Sequence, residues 1–137
     1  MSLVLDCSAT LAWIYPSETT EAIRRVFDTI VAEGCFVPML WRLEVANGMT
    51  MAVRRGRITS AFRAEALNVL DLAPISVDPE TTAYAWTTTL QLADRFGLTV
   101  YDAAYLELAQ RRALPLASLD APLCAAAREL GVPVVGD

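Results

Sequence analysis

The sequence predicts an α/β fold, a mostly parallel sheet of about five strands flanked by helices on both faces. Two observations carry that expectation. Short continuous apolar runs recur along the chain, at Leu3-Val4-Leu5, Cys35-Phe36-Val37, Ile75-Ser76-Val77, residues 114–119 and residues 132–135. Between them lie longer segments whose apolar residues repeat at helical spacing. Strands without polar alternation are covered on both sides, which is the condition of a parallel sheet with helical crossovers. At 137 residues the chain suits one domain, residues 1–137, with a core large enough to need no staples. No repeat, low-complexity tract or shift in composition marks a linker.

Each element follows from local signals. Leu3-Val4-Leu5 is ended by Asp6, and Ser8 to Ile14 read as a turn and a short helix. Pro16-Ser17 breaks the chain, and Ser17 with Thr20 and Glu21 opens a second helix on which Ile23, Val26, Phe27, Ile30 and Val31 keep the helical period. Gly34 closes it before the second strand. Pro38 then starts a helix with Leu40, Trp41, Leu43, Val45, Met49, Met51 and Val53 on nearly every side, so this helix is expected to be mostly buried. Glu44 interrupts it, with Asn47 one turn along on the same face. Arg54-Arg55-Gly56-Arg57 ends it as an exposed basic turn, and Thr59 caps a helix through Phe62, Ala66, Leu67 and Leu70. After the third strand, Asp78-Pro79-Glu80 is a helix-start signal leading through Ala83, Trp86, Leu90 and Ala93 to Gly97. Another helix starts near Thr99 and carries Ala103, Tyr105, Leu106, Ala109 and Ala113 into the interior. Asp120-Ala121-Pro122 opens the last helix, through Leu123, Ala126, Ala127 and Leu130 to Gly131.

Composition removes whole classes of chemistry. There is no histidine, which excludes Ser-His and Cys-His catalysis, histidine bases and His-ligated zinc. All 11 basic residues are arginine, and without lysine a Walker loop cannot be built and a receiver-type phosphoacceptor site is weakened. No GxGxxG follows the first strand. Carboxylates remain: 16 acids give a net charge of -5, a balance that opposes nonspecific nucleic-acid binding but leaves room for a local arginine patch. Cys7, Cys35 and Cys124, an odd number without CxxC spacing, read as buried reduced thiols and point to the cytoplasm. No stretch approaches the length that spans a bilayer, and Met1 to Leu5 lacks the basic start and long apolar region of a secretion leader.

In a parallel sheet, ligands gather beyond the strand C-termini. Asp6 ends the first strand and Asp120 the fourth; Glu44 lies about two turns into the helix after the second, and Asp102 opens the helix before the fourth. Each has a purely structural reading as well. Asp6 and Asp120 could be N-caps, and Thr99 with Asp102 has the spacing of a capping box. Glu44 is the hardest to explain that way, because a glutamate on an apolar helix needs a partner and Arg42 points to another side. Four acids at one sheet edge repel one another, and a divalent cation resolves the conflict. Oxygen-only ligation favours Mg²⁺ or Mn²⁺, and the chemistry that follows is phosphodiester hydrolysis.

Four segments, Leu5-Asp6-Cys7-Ser8-Ala9, Trp41-Arg42-Leu43-Glu44-Val45-Ala46-Asn47, Tyr101-Asp102-Ala103-Ala104-Tyr105-Leu106 and Ala117-Ser118-Leu119-Asp120, carry a resemblance. The chain is similar, over essentially its whole length, to PIN-domain ribonucleases, particularly VapC toxins of bacterial toxin–antitoxin pairs. That resemblance implies a PIN-like α/β/α sandwich and a Mg²⁺- or Mn²⁺-dependent endoribonuclease. It further implies an RNA substrate, a small VapB-like antitoxin as partner, and a homodimer. It casts Asp6, Glu44, Asp102 and Asp120 as the catalytic acids, with Asp6 and Asp102 as direct metal ligands and Glu44 and Asp120 completing the cluster partly through water. Asp120 stands at a position that varies among acid, amide and hydroxyl in the family. Ser8 and Ser118 match hydroxyls near the metal or its waters, and are equally readable as turn residues. The missing lysines leave RNA contacts to Arg42 or to the Arg54, Arg55 and Arg57 patch, which is also readable as a solvated helix end. Two other functions fit the residues: a catalytically silent PIN-like RNA- or protein-binding module, and an interaction protein whose apolar helix surfaces dimerise.

Overall fold

The structure, a computed structural model, describes residues 2–137; Met1, where the leader reading begins, lies outside them. Five strands, β1 (Val4–Leu5), β2 (Cys35–Val37), β3 (Ile75–Val77), β4 (Leu116–Ala117) and β5 (Val134–Val135), form one parallel sheet in the order β3-β2-β1-β4-β5. The register pairs Val4 with Phe36 on one side and Leu5 with Ala117 on the other. From the central strand β1 the chain winds outward to β3, then returns to the other side of β1 for β4 and β5. Right-handed crossovers therefore put the helices of the first half on one face and those of the second half on the other. Helices α1 (Cys7–Ile14), α2 (Glu21–Glu33), α3 (Trp41–Arg54) and α4 (Ser60–Leu72) pack together, α1 on α2 and α3 and α3 on α4. Helices α5 (Thr88–Phe96), α6 (Val100–Arg112) and α7 (Ala121–Glu129) make the second group, with α6 against β1 and β4.

The expected α/β architecture holds, and the core lies where β1 and β4 are enclosed: Val4, Leu5, Leu116 and Ala117 are fully buried. Caps fall where the sequence places them, with Asp6, Thr20, Thr59, Thr99 and Asp120 each accepting a backbone N–H of the first turn. At Gly34 φ is +76°, and an added Cβ would come within 3.1 Å of the Pro74 carbonyl oxygen. Only glycine turns α2 into β2 there without strain.

Four expectations need correction. The helix predicted from Pro38 starts at Trp41 and is not buried all round: Trp41, Val45, Met49 and Ala52 form the inward stripe, while Leu43 is 76% exposed. Neighbouring helices cover only part of its circumference. Val31 on α2 is 74% exposed, one residue off the buried set Ile23, Val26, Phe27 and Ile30. The continuous helix expected from Asp78 to Gly97 is a short 3₁₀ segment, Thr81–Tyr84, followed by α5, with Trp86 left 91% exposed between them. Thr87 leaves helical dihedrals at φ −118°, ψ −100°, which separates the two pieces. The fourth and fifth strands shorten to two residues each.

Asp78 is no helix opener. It is fully buried at the end of β3 and receives Arg111 Nη2 at 2.6 Å and Arg112 Nη2 at 3.2 Å from the end of α6. Arg111 also bonds Glu107 at 2.7 Å and Glu80 at 3.1 Å. Arg111 stacks over the Tyr84 ring, and Arg112 over Phe36. This cluster ties the C-terminal end of α6 to the β2–β3 side of the sheet. Burial acts to raise the Asp78 carboxyl, but the hydrogen bonds from Arg111 and Arg112 outweigh it and hold the group below the usual carboxylate range.

Candidate active site

The chain reverses its winding between β1 and β4, so the crevice beyond their C-terminal ends is the topological switch point of the sheet. Asp6 follows β1 directly and Ser118 follows β4. The backbone N–H of Asp6 donates to the Ala117 carbonyl at 3.1 Å, and Ser118 Oγ donates to Asp6 Oδ2 at 2.5 Å. Ser8 Oγ donates to Asp6 Oδ1 at 2.7 Å while accepting the Leu119 N–H at 2.9 Å. The Ala9 N–H completes the shell around Asp6 at 2.8 Å. Both serines singled out from the sequence thus hold Asp6, and Ser118 also accepts the Asp120 N–H at 3.0 Å. Turn chemistry and site chemistry coincide here.

The other acids arrive from separate helices. Asp102 sits at the third position of α6, its N–H bonded to Thr99 Oγ1 at 3.1 Å, so the cap fixes the turn that carries it. Asp120 caps α7 through Leu123. Glu44 is half-buried on α3 and accepts the Tyr105 hydroxyl at 2.6 Å. Asn47, on the same helix, is exposed. Tyr105 is the partner that sequence reasoning missed, although it lies three residues after Asp102 and hence on the same face of α6. Cys7 was missed as well: burial first, then the charges of Glu44, Asp6 and Asp102, push its thiol up to about 12.

The electrostatics link all four acids in a ring. Burial raises the pKa of Asp6, with Asp120 adding to the rise. Burial also raises Glu44, with Asp102 and then Asp6 contributing, and the hydrogen bond from Tyr105 opposing. Asp102 is raised by burial and by Asp120. Among the described residues none of the four forms an ion pair with an arginine. An uncompensated, oxygen-only donor set fits a hard divalent ion. Among the described residues, no three His, Cys, Asp or Glu side chains are grouped so that they could hold an ion as they stand. Asp6 is hydrogen-bonded to two serines, Glu44 to Tyr105 and Asp120 to its own helix end.

The raised values fix the sign of a pH effect. A carboxyl whose folded pKa lies above its unfolded value near 4 stabilises the fold below that value, and the contribution is lost as pH rises through the folded pKa. The metal-free protein is therefore expected to melt at higher temperature as pH falls from neutral toward that window. Divalent ion should flatten the dependence. A melting series across pH, with and without Mn²⁺, checks it.

The candidate arginines divide. Arg42 pairs with Asp71 at 3.1 Å on the surface. Arg54, the last residue of α3, and Arg55 and Arg57 in the turn after it stay exposed, with Arg57 over the Tyr15 ring.

Comparison with known proteins agrees with this geometry. The PIN domain profile matches residues 3–129. The chain is 32% identical over 123 residues to Ribonuclease VapC3 of Pyrobaculum aerophilum, covering 90% of this chain and 92% of that protein. Among solved structures, PAE2754 from Pyrobaculum aerophilum superposes with a TM-score of 0.69 at 25% identity, over 98% of this chain and 92% of that one. FitAcB from Neisseria gonorrhoeae gives 0.67 at 16% identity, over 99% and 97%, a likeness of fold alone. The profile spans most of the chain and the relative covers 90% of it: the chain belongs to the PIN-domain family, with a VapC ribonuclease among its relatives.

Proposed function

We propose that this protein is a divalent-metal-dependent endoribonuclease, a single PIN-like domain that acts as the toxin of a toxin–antitoxin pair. The observation that carries the reading is the ring of four mutually repelling acids at the switch point, with no arginine paired to any of them among the described residues. Asp6 and Asp102 would hold the ion, Mg²⁺ or Mn²⁺, with Glu44 and Asp120 completing the site. When bound, such an ion supplies an activated water and neutralises charge on the phosphodiester.

The chain's own residues do the rest. Ser8 and Ser118 hold Asp6 in one orientation at the strand end. Tyr105 fixes one oxygen of Glu44. The caps of α6 and α7 aim Asp102 and Asp120 toward each other's field. Binding of RNA through Arg42, Arg54, Arg55 or Arg57, control by a small VapB-like antitoxin, a homodimeric state and a cytoplasmic location belong to the same reading. They rest on the VapC relative and on the sequence. No helix among the described residues is long and apolar enough to cross a membrane.

The deciding experiment is cleavage of a structured RNA by the purified protein with Mg²⁺ or Mn²⁺, repeated in EDTA. Cleavage that stops with chelator and returns with added ion is the expected result. RNA bound equally well but left intact in both metals would favour the silent binding module instead.

A further inference from the structure

The acidic centre repels the phosphates of its own substrate, so a strand held there needs a grip beside it. The arginines are mostly engaged elsewhere: Arg42 with Asp71, Arg111 and Arg112 with Asp78, Arg128 with Asp137 and Arg24 with Glu21. Arg63 donates to Thr50, and Arg95 lies over Phe96. Arg57, like Arg25, Arg54, Arg55, Arg63 and Arg95, makes no ion pair among the described residues; its guanidinium stands 5.9 Å above the centre of the Tyr15 ring, and its side chain lines a depression of the surface.

A shallow groove runs from Arg57 to Ser8, which is hydrogen-bonded to Asp6. Its walls include Ser8, Leu11, Tyr15, Arg57 and Leu119. Ser8 is the residue that donates to Asp6, and Leu119, 39% exposed, is the residue whose N–H Ser8 accepts. The groove therefore reaches one hydrogen-bond partner of the Asp6 carboxylate, Ser8. Beyond Tyr15 and Arg57 a second depression continues past Pro16, Ser17 and Thr59. The Arg57–Tyr15 pair sits where the two meet. Neither Arg54 nor Arg55 lines either depression.

We infer that this groove is the subsite for the nucleotide next to the cleaved bond, with single-stranded RNA as its occupant. The inference rests on the nuclease reading above and adds which surface holds the substrate. Arg57 seats the flanking phosphate; Tyr15 keeps the guanidinium in place through its ring, and together with Leu119 it offers apolar surface to a base. Glu18, on the same groove, keeps phosphate from that side. A single strand fits because stacking on Tyr15 and Leu119 needs an unpaired base.

The test is binding of a short fluorescein-labelled single-stranded RNA, followed by anisotropy in EDTA at several salt concentrations. Wild type, Arg57→Ala, Tyr15→Leu and Arg24→Ala are compared, each checked by its melting temperature. Arg57→Ala is expected to weaken binding about five- to tenfold and to lower the salt slope by about 0.7, the value for one phosphate on a single strand. Tyr15→Leu is expected to weaken it by a similar factor, about tenfold, with the slope unchanged. Arg24→Ala, at an exposed arginine that lines neither depression, should stay within about twofold of wild type and keep its slope. Wild-type affinity and slope in Arg57→Ala would overturn the subsite, as would loss of binding to a short oligoglutamate peptide with RNA binding intact, which would assign the groove to an acidic protein segment. If wild type cleaves RNA and Arg57→Ala binds normally, the subsite alone falls. If wild type neither binds nor cleaves, both readings fall together.

Discussion

Asp102→Asn is expected to lower RNA cleavage by roughly 10²- to 10³-fold while leaving the metal-free protein as stable as wild type or more so. The two effects have opposite signs for one reason. Asp102 is raised by burial and by the charge of Asp120, so its ionised form is less favourable in the fold than in the unfolded chain. Asparagine keeps the shape and the Thr99-capped turn, since that bond is made by the backbone N–H. It removes one member of the repelling ring. Catalysis needs the charge that the fold disfavours: losing a ligand to a divalent ion forfeits several kcal/mol of transition-state stabilisation, at about 1.4 kcal/mol per tenfold. Cleavage rates at saturating Mg²⁺ give one half of the prediction. Melting curves give the other, including a smaller rise on adding Mn²⁺ than wild type shows. An Asp102→Asn variant that melts lower than wild type without metal would contradict the electrostatic account.

Asp78→Ala is expected to destabilise the protein by about 3–5 kcal/mol, the cost of leaving buried charge without its partner. Arg111 and Arg112 both point at that carboxylate, and neither is freely solvated. Glu80→Gln removes an exposed member of the same cluster and should cost less than about 1 kcal/mol. Urea unfolding of the two variants checks the contrast. The pH dependence runs opposite to that of Asp6, Glu44 and Asp102, whose values are raised. Because the Asp78 pKa is lowered in the fold, its stabilisation is present above the unfolded value near 4 and is lost as pH falls through the folded value.

Most of the architecture was legible because helix caps and apolar strands are local signals. Thr20, Thr59, Thr99 and Asp120 cap the helices they were expected to cap, and Gly34 and Gly97 end theirs. What failed depends on which neighbour covers which face. Leu43 and Trp86 are apolar, but no element packs over them, and nothing in their spacing says so. Asp78 looked like a helix start because Pro79 and Glu80 follow it; its partners stand 33 and 34 residues later. Asp6 and Asp120 stand at the strand ends and caps where the sequence puts them, and Ser8 and Ser118 beside them; Glu44 is marked only as an acid on an otherwise apolar helix. The Tyr105 bond to Glu44 crosses 61 residues and needed the packing of α6 on the sheet to become visible.

The bond from Ser118 to Asp6 spans 112 positions of the chain. It joins the first strand to the fourth, so the centre closes late in assembly: β1 has no β4 to sit beside until almost all of the polypeptide exists. A growing chain on the ribosome displays Asp6, Glu44 and even Asp102 before the serine and aspartate that complete their setting have emerged. Under the proposed nuclease reading, the acidic centre gains its full setting only once residues 117–120 have joined the sheet beside β1.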